Sequence, residues 1–162
     1  MPAPYQANDI AAWFLGNIDR EAGDAITHLK LQKLVYYAQA WSLALRDRPL
    51  FDEDMQAWAH GPVADSVYQI YRDSGWHALP VPEHTPALEQ EDVEHLSTIL
   101  QTYGDFSAKH LERMTHAEDP WLEARGDLPD EARCRDPIHK ETMARFYREL
   151  YEQTGDGETQ SA

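Results

Sequence analysis

The sequence has a single cysteine, Cys134, among its 162 residues. An intrachain disulfide is therefore excluded, which fits a reducing compartment. No apolar run approaches the roughly 18 residues of a membrane-spanning helix. The first residues show neither the basic region nor the apolar stretch of a signal peptide. We therefore expect a cytoplasmic protein with no membrane partner.

Basic residues are also scarce. Lysine and arginine number 14, against 29 aspartates and glutamates, for a formal net charge of −15. A protein that grips a phosphate backbone needs clustered cations, and the chain contains no such cluster. We therefore expect no direct binding of nucleic acid. The acidity suits a basic protein partner, because complementary charge speeds encounter, but it also serves solubility alone.

The chain lacks the patterns of common catalytic and cofactor sites. Its eight glycines occur singly, so there is no glycine-rich phosphate loop, and no Gly-x-Ser-x-Gly elbow occurs. The eight histidines include no zinc-protease motif, and one cysteine supplies too few thiolates for a zinc site. We expect no metal and no cofactor, and we interpret the histidines as surface or capping residues.

What the chain does contain is helical periodicity. Asn8 is a suitable N-cap for a first helix, which Gly23 would end. Thr27 would cap a longer helix, which we predict to be central because its apolar stripe is the longest. Lys33 and Gln39 fall off this stripe. Its members are Leu31, Leu34, Val35, Ala38, Trp41 and Leu45, and we expect Leu34, Ala38 and Trp41 to be buried.

Capping signals place the remaining helices. Gly61-Pro62 and Asp136-Pro137 are each predicted to open a helix, because proline suits the first helical turn. Further helices are expected to begin near Glu91, where acids favour the macrodipole, and after Ser107 as N-cap. The stretch over 76–89 contains three prolines and is predicted to be a long loop.

These patterns define one fold class. The composition is 42% hydrophobic and 27% charged, as in a globular domain. We predict a mainly α, compact single-domain bundle of about six helices over residues 1–153, with at most a short extended ribbon near 50–59. A disordered acidic tail is expected over 154–162.

Two segments carry more polar and aromatic groups than a plain helical bundle needs. Residues 58–62 read WAHGP, and residues 115–121 read THAEDPW. The first is either a docking point, with free helix N–H groups beside the turn, or a packed turn with His60 as a polar cap. The second is either part of a binding surface or a joint between helices, since Thr115 and Asp119 are able to bond the local backbone.

The chain resembles a known family through three ordered motifs. Residues 30–40 (KLQKLVYYAQA), then 49–51 (PLF) with 57–63 (AWAHGPV), and then 103–125 with the THAEDPW segment are similar to the motifs of the Panacea antitoxin domain family. This family is also described as phage-associated, GepA- or SocA-like. The resemblance spans roughly residues 8 to 150.

The resemblance implies a mostly helical fold without enzymatic activity. It implies an antitoxin of a type II toxin–antitoxin system, which neutralises a cognate toxin, usually encoded beside it, by direct protein contact. Aromatic residues dominate the energetics of such interfaces. The predicted partner-binding residues are Trp58, His60, Gly61, Pro62, Tyr68, Trp76, Thr115 and His116.

Other functions stay open from the sequence. A proteolytic adaptor would bind the toxin and hand it to a protease, a role that the acidic tail suits. A small hydrolase would use His60, His116 and Glu118 as acid–base groups, which requires them to converge on one place. A third alternative is a structural self-assembly unit. The oligomeric state is not predicted.

Overall fold

The computed structural model describes residues 3–18, 26–74 and 77–154. Within these ranges lie seven α-helices and one three-stranded sheet, so the prediction of a mainly α fold with a short ribbon is confirmed. The elements are α1 (Ala7–Asn17), α2 (His28–Arg46), β1 (Met55–Trp58), β2 (Gly61–Ala64), α3 (Asp65–Tyr71), α4 (Gln90–Tyr103), α5 (Ala108–His116), α6 (Asp119–Arg125), β3 (Pro137–Ile138) and α7 (Lys140–Gln153). A single 3₁₀ turn (Arg72–Ser74) follows α3.

Helix α2 is the central element, as its apolar stripe predicts. Leu34 and Ala38 are fully buried, whereas Trp41 is only half-buried, contrary to the prediction. The Trp41 indole lies toward the surface and its Nε1 donates to the Tyr103 hydroxyl at 2.7 Å. The larger error concerns the polar side of the helix. Every residue over 31–40 is buried, because α1, α4, α5, α7 and β2 all pack around α2.

Two glutamines of α2 show how a helix tolerates burial on all sides. The Gln39 amide donates to the Phe51 carbonyl at 2.8 Å and accepts from the Leu50 N–H at 2.7 Å. The Gln32 amide makes the same pair of bonds with the backbone of Ala64. A carboxamide is able to replace a neighbouring peptide group in this way, so its burial leaves both of its polar atoms bonded.

The sheet overturns two helix predictions. Its strand order is β2-β1-β3, and both pairings are antiparallel. Pro62 lies in β2 and Pro137 in β3, and neither opens a helix: α3 begins at Asp65 and α7 at Lys140. Both prolines occupy the outer strands. Proline lacks an N–H, so it is confined to sheet edges, and an edge strand before a helix shares its local signal with a helix start.

Of the remaining helices, α5 follows its predicted cap, whereas α1 begins at Ala7 with Gln6 as its N-cap, so Asn8 lies inside the helix. Ser107 accepts from the His110 N–H at 3.0 Å at the start of α5, and α4 ends before Gly104. Helix α1 ends at Asn17, while Gly23, Trp76 and the tail beyond Thr154 lie outside the described residues. In the part of the chain that the structure describes, no helix is long and apolar enough to cross a membrane.

Candidate functional site

The β1–β2 hairpin carries an aromatic pair at its end. Trp58 is the last residue of β1, and its ring lies 4.8 Å from that of Tyr68 on α3, measured between centroids. Both residues are half-buried. The Arg135 guanidinium lies 4.6 Å from the centroid of the Trp58 ring, in a cation–π arrangement. The pair therefore forms a firm, partly exposed aromatic surface.

The turn of the hairpin requires glycine at position 61. Trp58 pairs with Gly61 across a two-residue turn, and Gly61 adopts φ 108°, a backbone conformation that side chains disfavour. A Cβ atom there would lie 2.5 Å from Lys33 Cε and 3.0 Å from Thr115 Oγ1. Gly61 thus lets the turn approach α2 and α5 closely. The adjacent His60 side chain remains 67% exposed.

Lys33 lies beneath this turn and is fully buried. Its Nζ makes one long hydrogen bond in the described structure, to the Pro62 carbonyl at 3.5 Å. Burial lowers the pKa of Lys33 to about 7, and the negative charge of Glu112 acts against this shift. Near neutral pH the Lys33 amine is therefore only partly protonated, whereas the amine of a surface lysine is fully protonated.

Glu112 of α5 is surrounded by groups that carry or accept a positive charge. Its Oε2 lies 3.5 Å from His60 Nδ1 and 4.0 Å from His116 Nε2, and its Oε1 lies 3.8 Å from Lys109 Nζ. Glu112 itself is 8% exposed. We call Lys33, His60, Glu112 and His116 the Lys33–Glu112 cluster. No group of three or more His, Cys, Asp or Glu among the described residues is arranged to hold a metal ion.

The 115–121 segment joins the hairpin to this cluster. The His116 ring stacks on Trp121 with centroids 4.0 Å apart, and burial lowers the pKa of His116. Trp121 Nε1 donates to the Trp58 carbonyl at 2.8 Å. Thr115 is buried, and its hydroxyl donates to the Glu112 carbonyl at 2.9 Å. The two segments that sequence reasoning singled out are therefore in direct contact.

Helix α2 also positions the other side of the hairpin. Gln32 holds the backbone of Ala64 at the end of β2. His28, one turn earlier, stacks on Tyr68 with ring centroids 5.4 Å apart, and its Nε2 lies 3.0 Å from Gln32 Nε2. The aromatic pair is thus built on a strand and a helix that α2 supports by side-chain bonds.

The predicted site residues fall into two groups by exposure. Trp58, His60 and Tyr68 present surface, and we call them the hairpin face. Gly61, Pro62 and Thr115 are buried, so they shape the turn from within, and His116 is half-buried beside Glu112. Pro62 lies in strand β2, and the next helix begins only at Asp65. The free helix N–H groups that were expected beside the turn are therefore not at this position. Trp76 lies outside the described residues.

A second polar cluster lies one turn further along α2, around Tyr37. The Glu118 carboxylate accepts from the hydroxyls of Tyr37 at 2.9 Å and Tyr147 at 2.7 Å. Tyr36 and Tyr147 share a further hydroxyl contact at 2.9 Å. Burial raises the pKa of Glu118 to about 7. The three groups of the hydrolase hypothesis are thus divided, since His60 and His116 face Glu112 and Glu118 faces tyrosines.

The raised pKa of Glu118 predicts a pH-dependent stability. In the unfolded chain the carboxyl titrates near its ordinary pKa of 4.5. Between pH 4.5 and about pH 7 the folded state therefore holds a proton that the unfolded state has lost. Stability from this group is complete below pH 4.5 and is lost as pH rises through about 7. Glu118→Gln should therefore be more stable than the parent at pH 8, by on the order of 2 kcal/mol.

Urea denaturation of both proteins at pH 4.5 and pH 8 measures this difference. The glutamine amide oxygen is able to accept the same two hydroxyl bonds, so the gain should vanish at pH 4.5. An equal difference at both pH values would contradict the assignment.

Sequence reasoning missed Lys33, Gln32 and Glu112. Lys33 and Gln32 belong to the first family motif, but their spacing places them off the apolar stripe, so burial was not predicted. Glu112 is one of 29 acidic residues and carries no local signal. Only the packing of α5 against the hairpin turn distinguishes Glu112 from the other acidic residues.

The fold and this site define a small helical domain that presents an aromatic pair beside a β-hairpin. Residues 31–122 match the family described as "Antitoxin SocA-like, Panacea domain". The chain belongs to this Panacea domain family, as its three motifs indicate.

A curated relative points the same way. The chain is 32% identical to Antitoxin SocA of Caulobacter vibrioides (strain NA1000 / CB15N) over an alignment of 113 residues, which covers 59% of this chain and 58% of that protein. No solved structure matches the chain. These similarities support an antitoxin role.

Proposed function

We propose that this protein is the antitoxin of a type II toxin–antitoxin system, and that it neutralises its toxin by direct binding through the hairpin face. The hairpin face carries the proposal. Trp58 and Tyr68 contact each other on a hairpin that side chains of α2 and α6 bond, and aromatic groups with few rotatable bonds anchor protein interfaces at little entropic cost. The protein acts by binding and carries out no catalysis.

Charge supports a protein partner of the opposite sign. The net charge of −15 favours a basic toxin and disfavours direct binding of nucleic acid. From the resemblance to Panacea antitoxins, the proposal includes a toxin gene beside this one. A cytoplasmic location is part of the same proposal. The adaptor alternative depends on the tail, most of which lies outside the described residues.

A growth assay tests the proposal. The neighbouring gene product should arrest growth when expressed alone and be tolerated with the parent antitoxin. The double variant Trp58→Ala with Tyr68→Ala should lose this protection, because both partner-facing aromatic rings are removed. Trp121 bonds the Trp58 backbone carbonyl, so that link persists in the variant.

The matched control replaces two other exposed aromatics, Phe106→Ala with Tyr151→Ala, whose ring contacts are with α2, α4 and α5 and not with Trp58 or Tyr68. This control should protect as the parent does. Circular dichroism and thermal melting of the purified variants establish that both are folded. Full protection by the folded Trp58/Tyr68 variant would exclude the hairpin face as the contact surface.

A further inference from the structure

Glu112 is a buried carboxylate whose hydrogen-bonding capacity is largely unused. The residue is 8% exposed, and Oε1 accepts no hydrogen bond from the part of the chain that the structure describes. Its nearest cation there, Lys109 Nζ, is 3.8 Å away, and Oε2 has only the 3.5 Å contact with His60 and the 4.0 Å contact with His116. Buried carboxylates ordinarily accept several short bonds, so Glu112 has room for a donor that the described residues do not supply.

Lys33, the buried cation near Glu112, does not form an ion pair with the Glu112 carboxylate. Lys33 is the buried cation of the cluster, but its Nζ bonds the Pro62 carbonyl and forms no ion pair within 4 Å of Glu112. Its lowered pKa leaves it partly neutral near pH 7. The one lysine within ion-pair distance of Glu112 among the described residues is Lys109, at the long separation of 3.8 Å, and a buried carboxylate with so distant a partner favours a closer cation.

The outer side of Glu112 is covered by two side chains that are able to move. His60 is 67% exposed and Lys109 is 69% exposed, and the contacts that the structure gives for their side-chain nitrogens are the long ones to Glu112. Exposed side chains change rotamer freely. Displacing both would open the carboxylate to a group that arrives beside the hairpin face.

We propose that Glu112 is the receptor for an arginine side chain of the bound protein, which enters between His60 and Lys109 and pairs with both carboxylate oxygens. This inference rests on the proposed function, because the arginine belongs to the toxin. The guanidinium is planar and offers two parallel N–H donors, which matches a carboxylate whose two oxygens both lack short bonds. The net charge of −15 favours encounter between this protein and a basic partner, which would carry such an arginine.

Isothermal titration calorimetry on the toxin identified by the growth assay tests the inference. Glu112→Gln should weaken binding at least about tenfold, because the isosteric amide removes the charge. Glu118→Gln is the matched control: it neutralises another enclosed glutamate outside the Lys33–Glu112 cluster and should bind as the parent does. If Glu112→Gln does not fold, the double variant Lys33→Met with Glu112→Gln replaces it, since it leaves neither buried charge unpaired.

Arginine-to-methionine variants of the toxin identify the partner residue. One of them should weaken binding to the parent at least about tenfold and have little further effect on Glu112→Gln, because both changes remove the same contact. Parent-like binding by folded Glu112→Gln, with loss of binding in the Trp58/Tyr68 variant, overturns this inference and leaves the proposed function standing. Absence of any binding between toxin and parent protein overturns both.

Discussion

Arg125→Met is expected to lower the free energy of unfolding by about 3–5 kcal/mol. Arg125 is 4% exposed, and its guanidinium donates to the Ala57 carbonyl at 2.9 Å. The same group bonds three carbonyls of the following loop, those of Pro129, Asp130 and Ala132, at 2.6, 3.3 and 2.7 Å. Methionine would fill the space beside Trp121 but leave these acceptors without a donor.

This loss of stability should be specific to Arg125. Arg135 also lies against an indole, that of Trp58, but it is exposed and pairs with Asp65 at 3.4 Å. Arg135→Met should therefore change stability by less than about 1 kcal/mol. Urea denaturation of the two variants beside the parent measures both values. Similar stabilities for the two would show that the carbonyl bonds of Arg125 contribute little.

Lys33→Met should change the free energy of unfolding in the opposite direction: it should stabilise the protein at neutral pH and below. Burial holds the pKa of Lys33 in the folded protein at about 7, whereas the ordinary pKa of a lysine is 10.5. A charged lysine in this position costs the folded state about 3–5 kcal/mol, since each pKa unit corresponds to about 1.4 kcal/mol. Methionine has similar length and carries no charge, so it should recover much of this energy.

The effect depends on pH in a defined window. Above pH 7 the folded state has released the Lys33 proton that the unfolded chain still binds up to pH 10.5. The contribution of Lys33 to stability is therefore present at high pH and is lost as pH falls through about 7. Between pH 7 and 9 the parent should gain about 2–3 kcal/mol that Lys33→Met does not. The advantage of the variant should shrink accordingly.

Other titrations lie outside this window. The raised pKa of Glu118 changes stability between its ordinary value of 4.5 and about pH 7. The lowered pKa values of His28, His95 and His116 change stability only below the ordinary histidine value of 6.5. Denaturation at pH 7, 8 and 9 thus isolates Lys33. A parent and a variant whose stabilities run parallel across these values would contradict the lowered pKa.

Local signals were sufficient where a segment's own chemistry decides its conformation. Thr27 caps α2 and Ser107 caps α5, because each hydroxyl accepts a backbone N–H three residues ahead. The apolar spacing of α2 predicted its central place. The three motifs predicted the family, which the match over residues 31–122 confirms. None of these inferences needs knowledge of what lies across the core.

Local signals failed where pairing between strands decides the conformation. Pro62 and Pro137 looked like helix starts, yet both became edge residues of a sheet: Pro62 lies in the β1–β2 hairpin, and Pro137 lies in β3, which is far from β1 in the chain. A proline at a sheet edge and one in a first helical turn satisfy the same local requirement, the absence of an N–H. Only pairing with β1 distinguishes them. Trp41 was likewise expected to be buried, but it packs against the edge of the core, half-buried, with its indole N–H bonded to the Tyr103 hydroxyl.

The sequence by itself determined a mainly helical domain, its central helix, its family and the two segments around 58–62 and 115–121. The tertiary structure alone decided that these segments touch, that Lys33 lies buried under the Gly61 turn, and that Glu112 lies 3.5 Å from His60. The physical reason is that helix caps and periodicity depend on neighbours within a few residues. The burial of a charge depends on elements that arrive from elsewhere in the chain, in this case β2 and α5 against α2.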